Sequence, residues 1–438
     1  MKRLSLQAAI ALLFAGSAAH AVDLAAVYQN AKAYDATYAA ASASFEASKE
    51  RVVQAKGQFL PQVGLSSTYS GSTATSQASL SSSIGITQTL FETSKIVGKS
   101  QALVQAQQDA VNFRAAEQDL IIRVAQAYFD VLLAQDSLEF VRAQKNAVSE
   151  QLAQAKKTFE VGSTTITDTN DAQARYDGIL AQEIAAENEL LVKQAAFQQT
   201  TGMAAENLAP LGTRQQAQLP EPADVAAWIA RANDSSPQIL AKRAGLEVAT
   251  LEIEKSRAIK QPSLTLSSGY TKTHQFNSPT LPNGMSMADA MGGGSQRGMS
   301  VTLNLNVPLY TGGVLSSVNR QAMHQRDAAG QDLEATTRQV ALNTKQAFLG
   351  VKASAAQIKA YEQALVSAQT NLDSTRLGKD VGVRTSLDVL NVLQSYYQTK
   401  RDLSNARYQY ELNRLRLGQA VGTLSQEDVS KVNAQLGG

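Results

Sequence analysis

VTLNLNVPLY (Val301–Tyr310) alternates strictly: Val301, Leu303, Leu305, Val307 and Leu309 are apolar, while Thr302, Asn304 and Asn306 are polar. A period of two is the mark of a strand with one apolar and one polar face. Upstream, SLTLSSGYTKTH (Ser263–His274) alternates more loosely around Leu264, Leu266 and Tyr270. The first half carries a matching pair: FLPQVGLSSTYS with Val63, Leu65 and Tyr69, and LSSSIGITQTLF with Leu80, Ile84, Ile86 and Leu90. These stretches predict one β-hairpin per half, and they decide the fold because the remainder reads as helix. From Thr93 to Glu160 the only helix-breaking residue is Gly98, and Ala, Gln, Leu and Glu dominate. As one helix this run is a rod of about 100 Å at ~1.5 Å per residue. Leu138, Val141, Val148, Leu152, Ala155 and Phe159 stand at coiled-coil seam spacing, interrupted by Lys145. Thr167–Thr201 and Ser386–Val421 read as antiparallel return helices.

The chain is duplicated. Pro61, Leu65, Ser67 and Tyr69 match Pro262, Leu266, Ser268 and Tyr270 at an offset of 201. Leu90, Phe91 and Phe129 match Leu309, Tyr310 and Phe348 at 219. Val161-Gly162, Asp168, Tyr176 and Gly202 match Val381-Gly382, Asp388, Tyr396 and Gly422 at 220. The jump from 201 to 219 places an 18-residue insertion in SPTLPNGMSMADAMGGGSQRG (278–298), whose Gly, Pro and Ser content predicts a long exposed loop. The tip VGSTTITD (Val161–Asp168) returns as VGVRTSLD (Val381–Asp388), a glycine turn followed by Thr-x-x-Asp. That last pattern resembles a helix capping box.

Lys2-Arg3, the apolar run Ala8–Ala15 and the small residues Ala19 and Ala21 predict a cleavable secretory signal over 1–21. Those residues carry two cations and no acid, so the formal charge of +2 becomes +2 − 2 = 0 for the mature chain. A neutral chain argues against nucleic acid as a partner. There is no cysteine, hence no disulfide and no site for an N-terminal lipid anchor. No later apolar run reaches the ~20 residues of a membrane helix, so any membrane contact is made by strands.

Catalysis finds no foothold. GGGSQRGM ends in Gly298-Met299 where a phosphate-binding loop needs Gly-Lys-Ser/Thr. His274 and His324 stand apart without clustered acids, so no metal or other cofactor is expected. Glu252 and Glu254 are expected on solvated helix faces.

Four strands cannot close by themselves in lipid, where every unpaired N–H or C=O costs several kcal/mol. Since bacterial barrels need at least eight strands, the membrane reading requires shared staves: eight from two copies or twelve from three. A soluble sandwich remains open from the strands alone. A diffusion porin has no use for ~100 Å helices. A periplasmic coiled-coil adaptor or scaffold is the main alternative, and the two polar-faced hairpins and the insertion argue against it.

The order of TQTLFETSK, AYFDVLLAQDSL, VGSTTITD, VGVRTSLDVLN and LGQAVGTLSQED, over about residues 23–430, resembles the TolC family of outer-membrane efflux and type I secretion channels. The resemblance implies a mainly α homotrimer: long helical hairpins forming an α-barrel, and four strands per chain contributing to a shared 12-stranded transmembrane β-barrel. It implies a passive exit duct in the outer membrane of a Gram-negative bacterium, in contact with outer-membrane lipid and extending far into the periplasm. The partners it implies are a periplasmic adaptor (membrane fusion) protein and an inner-membrane transporter of ABC, RND or MFS type.

Mapped onto this chain, the resemblance divides it into a first helix (22–58), first hairpin of strands (59–91), first helical hairpin (92–202, tip 161–168) and a linker with equatorial collar (203–235). A helix (236–260), second strand hairpin (261–310), second helical hairpin (311–422, tip 379–388) and C-terminal equatorial segment (423–438) complete it. Val161, Gly162, Val381 and Gly382 are then the adaptor-contact tips. Asp168, Lys379 and Arg384 form the gate network, with Lys379 expected to pair with Asp168. Asp388 and Asn391 line the lumen entrance. Lys379 stands where the family pattern has tyrosine, and Asn391 where it has a second aspartate, so a single acidic ring is expected.

Overall fold

The computed structural model describes residues 22–72, 77–162, 165–212, 217–276 and 295–436. The expected signal at 1–21 and most of the 278–298 insertion lie outside the described residues. The elements are α1 (Leu24–Tyr34), α2 (Ala36–Gly57), β1 (Gln62–Ser72), β2 (Gln77–Phe91), α3 (Thr93–Glu160), α4 (Ile166–Thr201), α5 (Val225–Ser235), α6 (Pro237–Ala258), β3 (Ser263–Phe276), β4 (Ser295–Asn306), α7 (Val314–Asp380), α8 (Ser386–Val421) and α9 (Gln426–Asn433). The class is mainly α with four antiparallel strands, as the periodicity predicts. Among the described residues no helix is long and apolar enough to cross a membrane. The chain forms two compact units: 43–112 with 240–336, which holds the strands, and 22–42 with 113–239 and 337–436 among the described residues, which is helical.

The sheet has the order β1-β2-β3-β4, so the two duplicated hairpins join along β2 and β3, far apart in sequence. Opposed residues of antiparallel strands share a face. One face carries the rows Val63·Ile86·Ser268·Val301 and Leu65·Ile84·Tyr270·Met299. The other carries Gln62·Thr87·Ser267·Thr302, Gly64·Gly85·Gly269·Ser300 and Ser66·Ser83·Thr271·Gly298. Hydroxyl pairs lace the polar face, Ser66 to Ser83 at 2.8 Å and Ser81 to Thr273 at 3.1 Å. The near absence of side chains in the glycine row lets a sheet bend toward that face. The apolar side is uncovered: Leu65 is 79 % exposed and Met299 77 %. Every residue of β4 is exposed, and among the described residues β1 and β4 have no neighbour on their outer sides.

Three expectations need correction here. β4 runs Ser295–Asn306, so Ser295–Gly298, read as the end of the loop, are strand, while Val307–Tyr310, read as the end of the alternating strand, lie beyond it. The first helix is divided at Asp35, which adopts an extended backbone and accepts a bond from the Tyr38 N–H at 2.7 Å as it restarts the chain. Glu252 is not merely solvated: it accepts from Gln101 Nε2 at 2.8 Å, joining α6 to α3.

The helical unit is built around the middle of α3. Leu120, Val124, Tyr128 and Phe129 are buried against Leu24 and Val27 of α1, Phe197 of α4, Leu412 of α8 and Val429 of α9. Tyr128 OH donates to the carbonyls of Ala209, at 2.8 Å, and Val22, at 3.1 Å, so the segment after α4 is held against α3. Arg123 clamps Asp35 with two bonds of 2.6 and 3.0 Å and so fixes the α1–α2 break. Lys145, the residue that interrupts the α3 seam, is answered by Glu183 of α4 at 2.6 Å. The seam changes from apolar contact to an ion pair at that level and resumes with Val148 and Leu152.

Candidate functional site: the two helical tips

Both tips are assembled from the same local parts. Gly162 and Gly382 have φ of +75° and +80°, in the left-handed region. A β-carbon on either would meet nothing within 4 Å, so glycine is required by the backbone angle alone, worth about 1 kcal/mol or more. The Gly162 N–H donates to Phe159 O and the Gly382 N–H to Lys379 O, which satisfies carbonyls at the helix ends. Ser163 and Thr164 of the first tip lie outside the described residues.

The next helix then starts on a complete capping box. At the first tip the Asp168 N–H donates to Thr165 Oγ1 and the Thr165 N–H to Asp168 Oδ2, both at 3.3 Å. At the second the corresponding distances are 3.1 and 2.9 Å, and the Thr385 hydroxyl adds a third bond of 2.9 Å to Asp388. The repeated Thr-x-x-Asp is therefore a helix start in both halves. The bonds from Thr385, backbone and hydroxyl, hold the Asp388 carboxyl below the usual range, with the nearby charge of Arg384 adding to the effect.

The two hairpins meet just behind their tips. Val148, Leu152 and Ala155 of α3, Ala172 and Ile179 of α4, Leu372 of α7, and Leu390 and Leu393 of α8 form one buried cluster. Polar links flank it on two sides. Lys379 Nζ donates to Gln151 Oε1 at 2.5 Å and to Gln154 Oε1 at 2.6 Å, tying α7 to α3. Arg175 donates to Asn391 Oδ1 at 2.6 Å and to Gln394 Oε1 at 3.4 Å, tying α4 to α8.

The expected Lys379–Asp168 pair is not among the ion pairs of the described residues. Asp168 caps α4, while the Lys379 ammonium lies against α3; burial there pushes its pKa down. Arg384 lies over Gly378, where an added β-carbon would stand 2.8 Å from its Cγ. Its N–H and that of Val383 both donate to Gly378 O. Asn391 is exposed and accepts a bond from Arg175. Val161 and Val381 stand out at 74 and 67 % exposure, large apolar side chains on the turns themselves. Arg175 is the residue that sequence reasoning missed. Its signal was present: it lies seven residues after Asp168, two helical turns along the same face.

The chain matches the family model described as outer membrane efflux protein over residues 27–203 and 228–423. It is 39 % identical to the outer membrane protein TolC of Vibrio cholerae, covering 99 % of this chain and 98 % of that one. It is 33 % identical to the alkaline protease secretion protein AprF of Pseudomonas aeruginosa, over 81 % of this chain and 72 % of that one. The solved outer membrane protein VceC of Vibrio cholerae superposes with a TM-score of 0.72 at 19 % identity, covering 91 % of this chain and 96 % of that one, a likeness of fold. With both tandem halves inside the matched ranges, the chain belongs to the outer membrane efflux protein family.

Proposed function

We propose that three copies of this chain close a twelve-stranded barrel in the outer membrane and continue as a helical duct in the periplasm. It is a channel and not an enzyme: it conducts drugs or polypeptides outward passively, as the exit of an efflux pump or type I secretion system. One observation carries the reading: among the described residues the sheet has an apolar face with nothing against it and two unpaired edges, β1 and β4. Lipid covers the first and neighbouring copies pair the second. From Met299 to Leu305 the apolar positions of β4 span about 20 Å along the strand at ~3.4 Å per residue, or about 16 Å across a bilayer at a tilt of about 40°. That is about two thirds of the ~25 Å band of barrel proteins.

In this account segments 203–235 and 423–438 form the collar. The Val161-Gly162 and Val381-Gly382 turns receive a periplasmic adaptor bound to an inner-membrane transporter of ABC, RND or MFS type. Asp168, Lys379 and Arg384 belong to the gate, now joined by Arg175, and Asp388 provides one acidic ring at the entrance beside the neutral Asn391. The name of the Pseudomonas relative, a protease secretion protein, favours polypeptides among the cargo. The test is the mass of the unheated protein extracted from outer membranes, with single-channel recording. A trimer is expected, and Asp168→Ala with Arg384→Ala should raise conductance without loss of assembly. A soluble monomer would overturn the duct, and unchanged conductance in normal trimers would reduce both residues to helix-end fittings.

A further inference from the structure

The four strands contain no Asp or Glu, and their formal charge is confined to Lys272 and Arg297. A charged residue in a channel barrel is cheap on the polar face, which looks into water. Both cations are instead on the apolar face. The register sets Lys272 directly opposite Arg297, and Lys272 is also opposite Ser82, which is opposite Ser67. One row across the sheet therefore reads Ser67·Ser82·Lys272·Arg297. The two serine hydroxyls are 2.9 Å apart, and both cations are exposed. The row toward the helices is apolar, Leu65·Ile84·Tyr270·Met299. The row toward the strand turns is Tyr69·Leu80·His274·Ser295, an amphipathic set suited to a membrane interface.

Like charges directly opposed in a sheet repel. The strands supply no acid, and the 277–294 segment contributes a single one, Asp289, against two cations. The strands thus leave the pair unneutralised at the level where their apolar rows end. From these placements we propose that the row Ser67, Ser82, Lys272 and Arg297 is a binding site for the phosphate of a glycolipid headgroup in the outer leaflet. The guanidinium and ammonium neutralise the phosphate, the serine hydroxyl whose proton is not spent on its neighbour donates to its oxygens, and the acyl chains run down the apolar rows below. The orientation rests on the duct reading, in which the turn ends of the strands face the cell exterior. Three copies give three such sites around the barrel.

The test uses the full-length detergent-extracted trimer and native mass spectrometry, titrating lipid A with two phosphates and its dephosphorylated form. The wild type is expected to bind the phosphorylated lipid about 30-fold more tightly, the factor expected for two cations at an anionic surface. Lys272→Gln with Arg297→Gln should remove that preference and leave the dephosphorylated lipid unaffected, while K272R with R297K keeps it. Inorganic phosphate at 10 mM, on the order of a buffer concentration, should not compete. Equal binding of the two lipids by the wild type would overturn the site, a comparison that needs no variant to fold. Competition by free phosphate would overturn the lipid as its occupant. A preparation without trimers would instead refute the duct itself.

Discussion

Arg175→Ala should loosen the gate by an amount that follows from its contacts. The side chain makes one short bond to Asn391, 2.6 Å, and one long one to Gln394, 3.4 Å. A hydrogen bond with a charged donor is worth roughly 1.5–3 kcal/mol when sheltered, and less at a half-exposed site, so about 1 kcal/mol per copy is a fair figure. If separating α4 from α8 accompanies opening, three copies acting together contribute about 3 kcal/mol, which is on the order of a 100-fold shift toward the open state. Single-channel recording in planar bilayers should show this as longer and more frequent open periods in R175A trimers. Asn391→Ala should reproduce most of the effect, and the double variant should add little to either, because both remove the same bond. Unchanged gating in R175A, or full additivity of the two, would falsify the idea that this link restrains opening.

Three further outcomes follow. With one acidic ring, block by trivalent cations should be weaker than in a channel with two, and Asn391→Asp should tighten it; the bonds that keep Asp388 ionised mean that block should persist down to about pH 4, near the ordinary Asp pKa. Asp136 accepts from the buried Tyr408 hydroxyl at 2.9 Å, and burial raises its pKa above the unfolded value. Its contribution to stability is therefore full below the unfolded pKa and lost as pH rises through the folded one. Asp136→Asn should accordingly raise Tm at pH 7.5 and give no gain near pH 4; an equal shift at both would contradict the burial argument. Gly382→Ala should destabilise the second tip by about 1 kcal/mol through backbone strain alone, visible as faster hydrogen exchange at residues 378–388 without change in the strands.

The sequence was most legible where a single periodicity set the outcome. Alternation placed all four strands, although the last four residues of VTLNLNVPLY lie past the end of β4, because a one-residue slip would have turned every apolar side chain to the wrong face. The duplication located both tips, and the positive φ of Gly162 and Gly382 bears out the glycine reading. What the pattern did not reveal was which side chains meet across helices. Lys145 looked like a flaw in a seam because its partner, Glu183, comes from the return helix. Lys379 was assigned to Asp168 by charge, yet two glutamines of α3 hold it, since Asp168 is occupied with its own cap. Arg175 escaped notice because its acceptors, Asn391 and Gln394, are neutral and more than 200 residues away. Register, too, had to be seen before the opposed pair Lys272 and Arg297 emerged.

The central claim is that the outer edges of β1 and β4 are completed by other copies. The natural chain has no cysteine, so engineered pairs report without background. A panel pairing cysteines at Ser66, Thr68 or Ser70 of β1 with cysteines at Ser300, Thr302 or Asn304 of β4 should be oxidised in intact outer membranes. The account predicts that the pairs in register give covalent dimers and trimers on denaturing gels, with no larger species. Cross-links confined within single chains, or a ladder running past the trimer, would contradict it.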